Sequence, residues 1–439
     1  LEWPEHVRLG AFAGLLKAQP DRAAARILQA VNGSDTTRRA VAIASLAHLE
    51  ADGVAEQFAA ELPKLNAEVQ TLLIDALADR GGVAVQTAIL AVGTTSADQT
   101  VRIAAARALG KAGDTSCVPW LATRVGQATT RQERDAATLA LLALTDPGVP
   151  AALTQCMTAA GVDARPRVID VLLRRNDVIA VEALLEQAET KDLRVRRAAF
   201  RALARLADPN HLPRLIALLV KAPADAARGG AERAVTQVAL KTTDETKRTR
   251  SILDALAREK DVDKRGALLR ALAGTGGLQA LAAVQKALAS PAPDERDVAL
   301  RALATWPDAA GVEPLFEQFR TTTNATHRVL SLRGFVRLLG PPTQPSPDAC
   351  VAWFQRGFEE ARDAAEKKLL LGGLMHVPHA DALELAMGQL GDPDVSAEAG
   401  LAAVGIGRAL AGISPESTVA AMKRVEIGRA HVRTPVTDQ

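Results

Sequence analysis

The stretch VRIAAARALGKAGDTSCVPWL, Val101–Leu121, decides the fold. It reads as a small-residue helix ending on Leu109, a Gly-Asp turn, and a second apolar helix. Two other stretches fall into register with it: VRRAAFRALARLADPNHLPRL from Val195 and ERDVALRALATWPDAAGVEPL from Glu295. With Leu109 as anchor, equivalents stand at Leu15, Leu46, Leu77, Leu141, Leu172, Leu203, Leu240, Leu272, Leu303, Phe335, Leu374 and Val404. Ten of the twelve intervals are 30 to 32 residues; the others are 37 (Leu203 to Leu240) and 39 (Phe335 to Leu374). Self-similarity at such a period is the mark of a stacked-repeat architecture.

Each unit has a physical reading. Asp35, Asp98, Asp192 and Asp261 precede first helices, where a carboxylate accepts bonds from the orphan amides of the first turn. In VRRAAFRALARL, residues Val195, Ala199, Ala202, Leu203 and Leu206 recur at helical spacing and form one stripe. The turns carry Gly, Asp and often Pro, as in Asp146–Pro147–Gly148 and Asp208–Pro209–Asn210, and Pro suits the first helical position. A hairpin this short cannot bury its stripe alone, so neighbours must stack. The expected fold is all-α, an α-α superhelix of about 13 hairpins and roughly 26 helices.

The motif D-x-x-x-R-x-x-A-A-x-A-L-G, fullest at Asp98–Gly110, resembles the HEAT-repeat family, specifically its short bacterial branch, which includes the repeats of phycobilin-lyase-like proteins. The resemblance covers residues 4 to about 425 and implies an ARM/HEAT-like solenoid. It carries the fold far better than the function, because such arrays serve as scaffolds in unrelated processes.

Seven residues before the anchors runs a basic column: Arg8, Arg39, Arg102, Arg134, Arg165, Arg196, Arg233, Arg265, Arg296, Arg328 and Lys367, interrupted by Gln70 and Ala397. Leu240 is preferred to Val238 as anchor partly because it brings Arg233 into this column. A regular column serves every unit alike, so it reads as a structural ladder. Each guanidinium is expected on a capping Asp or on the last carbonyls of a neighbouring unit, at about 1.5–3 kcal/mol when partly buried. The alternative is a ligand-binding spine.

The HEAT resemblance implies that the first helix lines the concave face. Its solvent positions place Arg197, Arg201, Arg205, Arg270, Arg301, Arg333 and Arg337 on a basic patch, with Asp75 and Asp79 making the early part mildly acidic. The alternative is a merely solvated face. As a binding site the patch fits a protein partner carrying an acidic segment. Nucleic acid is disfavoured, because no aromatic is interleaved to stack a base and net charge is only +2.

Composition agrees with closely packed helices. Apolar residues are 48%, aromatics 3%, and tyrosine is missing. The apolar runs are short and broken by charge, so no membrane span is expected. Cys117, Cys156 and Cys350 are far apart and form no CxxC, giving no support for a disulfide framework, zinc or haem, and they leave the compartment open. There is no P-loop, GxSxG, HExxH or GxGxxG. His376 and His379 (HVPH) lack a carboxylate or cysteine cluster for a metal, and His211 sits in a turn. No catalytic, metal or cofactor residue is assigned.

The functional expectation is therefore a non-catalytic interaction scaffold, part of a larger bacterial protein. Its alternative is a HEAT-fold enzyme with a groove site, glycosylase-like or bilin lyase-like. The chain opens inside a first-type helix after Pro4, from which an N-terminal extension is expected. Residues 426–439 (EIGRAHVRTPVTDQ) break the repeat and resemble a translated sequencing-adapter read. The expected organisation is a solenoid over 1–425 and a non-native or disordered tail over 426–439.

Overall fold

A computed structural model describes residues 3–46 and 53–411, with 415, 419 and 423. Among these, all regular structure is helical. Most of residues 412–425, the end of the expected solenoid, and the whole 426–439 tail lie outside the described residues. The chain divides into two compact units, Leu1–Ala207 and Asp208–Gln439.

In the first unit the first helices are Glu5–Ala18, Thr36–Leu46, Ala67–Ala78, Gln99–Ala112, Arg131–Ala143, Arg165–Arg175 and Leu193–Leu206. Each packs on the next of this set, and a second layer lies against them: Pro20–Val31, Val54–Glu61, Val83–Thr95, Val118–Gln127, Val149–Ala159 and Val181–Gln187. In the second unit the first layer is Arg228–Leu240, Val262–Thr275, Pro293–Ala304, Ala325–Leu338, Ala364–Leu374 and Ser396–Leu410, again packed in succession. Its second layer is Leu212–Lys221, Glu245–Arg258, Leu278–Leu288, Val312–Thr321, Pro347–Glu360 and Ala380–Gly388.

The caps form as the sequence dictates. Asp98 accepts from the Thr100 amide, Asp192 from Arg194 and Val195, Asp261 from Lys264, and Asp35 from Arg38. The Thr100 hydroxyl and amide hold Asp98 below the usual carboxylate range, and the Val195 amide does the same for Asp192. Asn66, Thr130, Asp244, Asn324, Ser346 and Asp363 cap further helices.

The anchors Leu46, Leu77, Leu109, Leu141, Leu172, Leu203, Leu272, Leu303, Phe335 and Leu374 are fully buried. Three assignments need correction. Leu15 is 45% exposed and its neighbour Leu16 takes the core position. Leu240 is 40% exposed, whereas its alternative Val238 and also Val235 are fully buried, and Val235 keeps the 32-residue interval from Leu203. Val404 is only half-buried. Moving that anchor to Val235 shifts the long interval onto Val235–Leu272, and the cause is then plain. The second helix between them, Glu245–Arg258, has 14 residues, as does Pro347–Glu360 inside the other long interval, whereas the remaining second helices have 7 to 13.

The small residues of the motif set how closely first helices approach. Ala104, Ala105, Ala106 and Ala108 are buried. A Cβ on Gly110 would sit 2.9 Å from the Cα of Ala140 on the next first helix, closer than real carbons come. The motif glycine therefore permits backbone-to-backbone contact between successive repeats. By contrast Gly372, also on a first helix, has open space around it. Gly110→Ala is expected to destabilise the chain by about 1–3 kcal/mol through overpacking. Gly372→Ala should instead stabilise it by about 0.5–1 kcal/mol through helix propensity. Urea unfolding monitored by circular dichroism separates the two; shifts of the same sign would contradict the contact.

Candidate functional site: the arginine columns of the first helices

A first helix begins where the preceding second helix ends, and the last carbonyls of that second helix and its loop have no intrahelical partner. The column arginines satisfy them. Arg102 donates to the Ser96 and Ala97 carbonyls at 3.1 and 2.8 Å. Arg134 donates to Ala128 and Thr129, Arg165 to Thr158 and Ala160, and Arg196 to Thr190 and Lys191. Arg39 donates to Gly33, Arg265 to Leu256 and Glu259, and Arg296 to Ser290 and Pro291. Gln70 reaches the Leu62 carbonyl in the same way with its amide.

Arg233 is not in this column. It is exposed, and Arg228, five residues earlier, donates to the Ala222 carbonyl and pairs with Asp263. Of the two fully buried valines, Val235 and Val238, it is Val235 that stands seven residues after Arg228.

The acidic partners are not the capping aspartates either. Both oxygens of Glu133, on the next first helix, receive Arg102 at 2.7 and 3.1 Å, with Arg124 at 3.5 Å. Arg265 pairs with Glu295 at 2.7 Å. Arg328 pairs with Glu366 at 2.6 and 2.9 Å, donates to the Phe319 and Glu360 carbonyls, and lies 4.1 Å over the Phe319 ring. In all three rungs the glutamate immediately precedes the basic residue of the next repeat: Glu133–Arg134, Glu295–Arg296, Glu366–Lys367. That dipeptide was readable in the sequence. Where the position holds Ala164 instead, Arg134 has carbonyls alone among its described partners.

A second set of guanidiniums serves the other end of the first helices, and the periodic reading missed it. Arg80 donates to the Leu46 carbonyl at 2.6 Å. Arg175 donates to Leu141 and to Leu144, the latter at 3.0 Å, and pairs with Asp177 at 2.9 Å. Arg337 donates to Ala304 and Trp306. Each cation thus sits at the carbonyl end of the preceding first helix, where the helix dipole favours it. Burial lowers the affinity of Arg337 for its proton.

The surface arginines of the expected patch divide accordingly, each within its own unit. In the first unit Arg197, Arg201 and Arg205 are exposed on Leu193–Leu206 at spacing four, hence one face; Arg201 faces Asp170 at 3.4 Å. In the second unit Arg301 and Arg333 are exposed, Arg301 pairing with Asp297 at 2.8 Å. Arg270 is half-buried on Glu232 at 2.7 Å, whereas Arg337 is exposed while it donates to backbone carbonyls.

The remaining titratable groups have local roles. His211 and Asp208 form a capping box, and His379 caps Ala380–Gly388 while facing Asp348 at 3.0 Å; His376 is exposed and does not join it. The three cysteines are free thiols. Among the described residues, no group of three or more His, Cys, Asp or Glu is placed to hold a metal ion, and no helix is long and apolar enough to cross a membrane.

Residues 150–236 match the family described as HEAT repeats. The chain is similar in structure to a mutant of Kap121p, at a TM-score of 0.53 and 15% identity, over 100% of this chain and 55% of that one. It is similar to the karyopherin Kap121p bound to the SUMO protease Ulp1p, at 0.53 and 14%, over 98% and 56%. Kap121p bound to Ste12p gives 0.52 and 14%, over 94% and 52%. The chain spans about half the length of these karyopherins. A comparison with curated proteins finds no match. The fold is therefore an α-α superhelix of HEAT-like repeats.

Removing a rung with a buried carboxylate should cost more than removing one made to carbonyls. Arg328→Ala strands Glu366 and is expected to cost about 3–5 kcal/mol, Arg134→Ala about 1–2 kcal/mol; equal losses in urea unfolding would contradict the distinction. The Arg102 hydrogen bond holds Glu133 below the usual carboxylate range. A depressed folded value stabilises at pH above the unfolded value of about 4.3 and is lost as pH falls through the folded one. The stability gap between the wild type and Glu133→Gln should therefore be flat from about pH 8 to 5 and close below about 4. A gap that widens on acidification would contradict the rung.

Proposed function

We propose that this HEAT-repeat chain is a non-catalytic scaffold that binds a protein partner through the exposed face of its first-helix layer, the face that the HEAT resemblance makes concave. The observation that carries the reading is the row Arg197, Arg201 and Arg205, displayed to solvent on one helix when most column arginines are turned inward to backbone. Arginine exposed in rows attracts carboxylates and steers their encounter. The partner segment is therefore acidic.

Two further facts support it. The similar karyopherin structures include Kap121p with Ulp1p and with Ste12p, both protein partners of that protein. Several displaced carboxylates are also accounted for by local structure: Ser116 lowers Asp114, Thr115 lowers Asp146, and the Asn210 amide lowers Asp208, each at a turn. Carboxylates held by turn amides and hydroxyls in this way are engaged in local structure.

Selection of random displayed peptides on the immobilised chain tests the reading. Peptides of net negative charge should be enriched, and the enrichment should fall for Arg197→Glu combined with Arg201→Glu. Enrichment of neutral or basic peptides, or indifference to those substitutions, would contradict it.

A further inference from the structure

Four arginines of the second unit occupy one position on four successive first helices. Arg233, Arg270, Arg301 and Arg333 each stand two residues before a buried anchor: Val235, Leu272, Leu303 and Phe335. Two residues turn an α-helix by about 200°, so the four stand on the side away from the core. Their helices, Arg228–Leu240, Val262–Thr275, Pro293–Ala304 and Ala325–Leu338, pack in succession. Contacts on this side join neighbouring helices. Arg270 reaches back to Glu232, beside Arg233, at 2.7 Å. Asp297 receives Arg301 at 2.8 Å and lies 3.2 Å from His327 of the next first helix. The basic row therefore crosses the helices rather than running along one.

The two middle cations have carboxylates, Glu232 and Asp297, and the two outer ones do not. Arg233 and Arg333 are exposed, and their side chains make no ion pair or hydrogen bond among the described residues. Arg337, one turn after Arg333, is exposed as well while it donates to the Ala304 and Trp306 carbonyls. The row thus carries positive charge that the chain itself does not balance. Gly266 and Gly274 stand one turn to either side of Arg270. No side chain rises at those two places to hold an incoming chain off Val262–Thr275.

Packed helices lie about 8–10 Å apart, which sets the spacing of the row. A polyproline II segment rises about 3.1 Å per residue with three residues per turn, so every third side chain faces one way at about 9 Å. A β-strand repeats a face at about 6.6–6.8 Å, which falls short. An α-helix matches only over two turns, at about 10.8 Å, and the glycines beside Arg270 give its apolar side nothing to bury. We infer that the row receives an acidic segment of the protein partner in polyproline II form, with Asp or Glu at every third position meeting Arg233, Arg270, Arg301 and Arg333 in order. The inference rests on the scaffold reading above and adds the partner's conformation and charge spacing. Nucleic acid fits less well, since no Phe or Trp among the described residues of this unit is exposed to stack a base.

Fluorescence anisotropy with labelled probes tests it on the full chain. The probes are a peptide of Glu-Pro-Pro repeats, its Glu→Gln form, a peptide of the same composition with its glutamates grouped at one end, a helical Ala-rich peptide with Glu at every seventh position, and a single-stranded oligonucleotide. The Glu-Pro-Pro peptide should bind tightest, with its Gln form weaker by about tenfold or more and the grouped form by several-fold. Arg233→Glu combined with Arg333→Glu should weaken it by about tenfold, with an unchanged circular dichroism spectrum. Equal binding of the spaced and grouped peptides, or tighter binding of the helical one, would overturn the polyproline II register. Full binding by the Arg233/Arg333 variant together with loss on Arg197→Glu combined with Arg201→Glu would overturn the row and leave the scaffold reading standing. Tighter binding of the oligonucleotide would overturn the choice of an acidic peptide. No binding by any probe would also overturn the row, and the displayed-peptide selection then decides the broader reading separately.

Discussion

A thirty-residue helical hairpin cannot cover its own apolar stripe, and the rest of the architecture follows from that constraint. Each buried anchor such as Leu109 or Leu141 gains about 1.5–3 kcal/mol only when a neighbouring hairpin roofs it. Conformational entropy claims a comparable amount over the residues ordered, so the repeats must come close to profit. The alanines of the first helices and Gly110 let backbones meet where larger side chains would hold them apart. A core of Ala, Leu and Val is the result, with rings concentrated where Phe316, Phe335, Trp353 and Phe354 meet in the second unit.

Close stacking creates a second problem. Helix ends and loops pressed together leave carbonyls away from water, each costly if unpaired. Arginine answers this at both ends of the first helix, because its planar fork satisfies several acceptors at once. At the start it gathers the preceding loop and, at Arg102, Arg265 and Arg328, a glutamate of the following repeat. At the finish Arg80, Arg175 and Arg337 gather the carbonyl end of the preceding first helix. These two sets of arginines are structural, and the arginines that face water stand apart from them.

Much of this was legible in the sequence because it is local or periodic. The caps at Asp98 and Asp192 need only neighbouring amides, and the leucine period needs only counting. What failed was whatever depended on the partner across space. Two arginines, Arg228 and Arg233, compete for one column position, and only the Arg228 bond to the Ala222 carbonyl settles it, since Val235 and Val238 are both fully buried. The bonds that Arg337 and Arg270 make could not be read because the carbonyls and the Glu232 carboxylate that accept them lie in other repeats.

Coupling between repeats through the first helices is the central claim, and hydrogen–deuterium exchange reads it directly. In Arg102→Ala, deuterium uptake should rise in Arg131–Ala143, the next first helix that holds Glu133, as well as in Gln99–Ala112. An increase confined to residues 96–112 would mean that each hairpin stands on its own bonds, and would contradict the account.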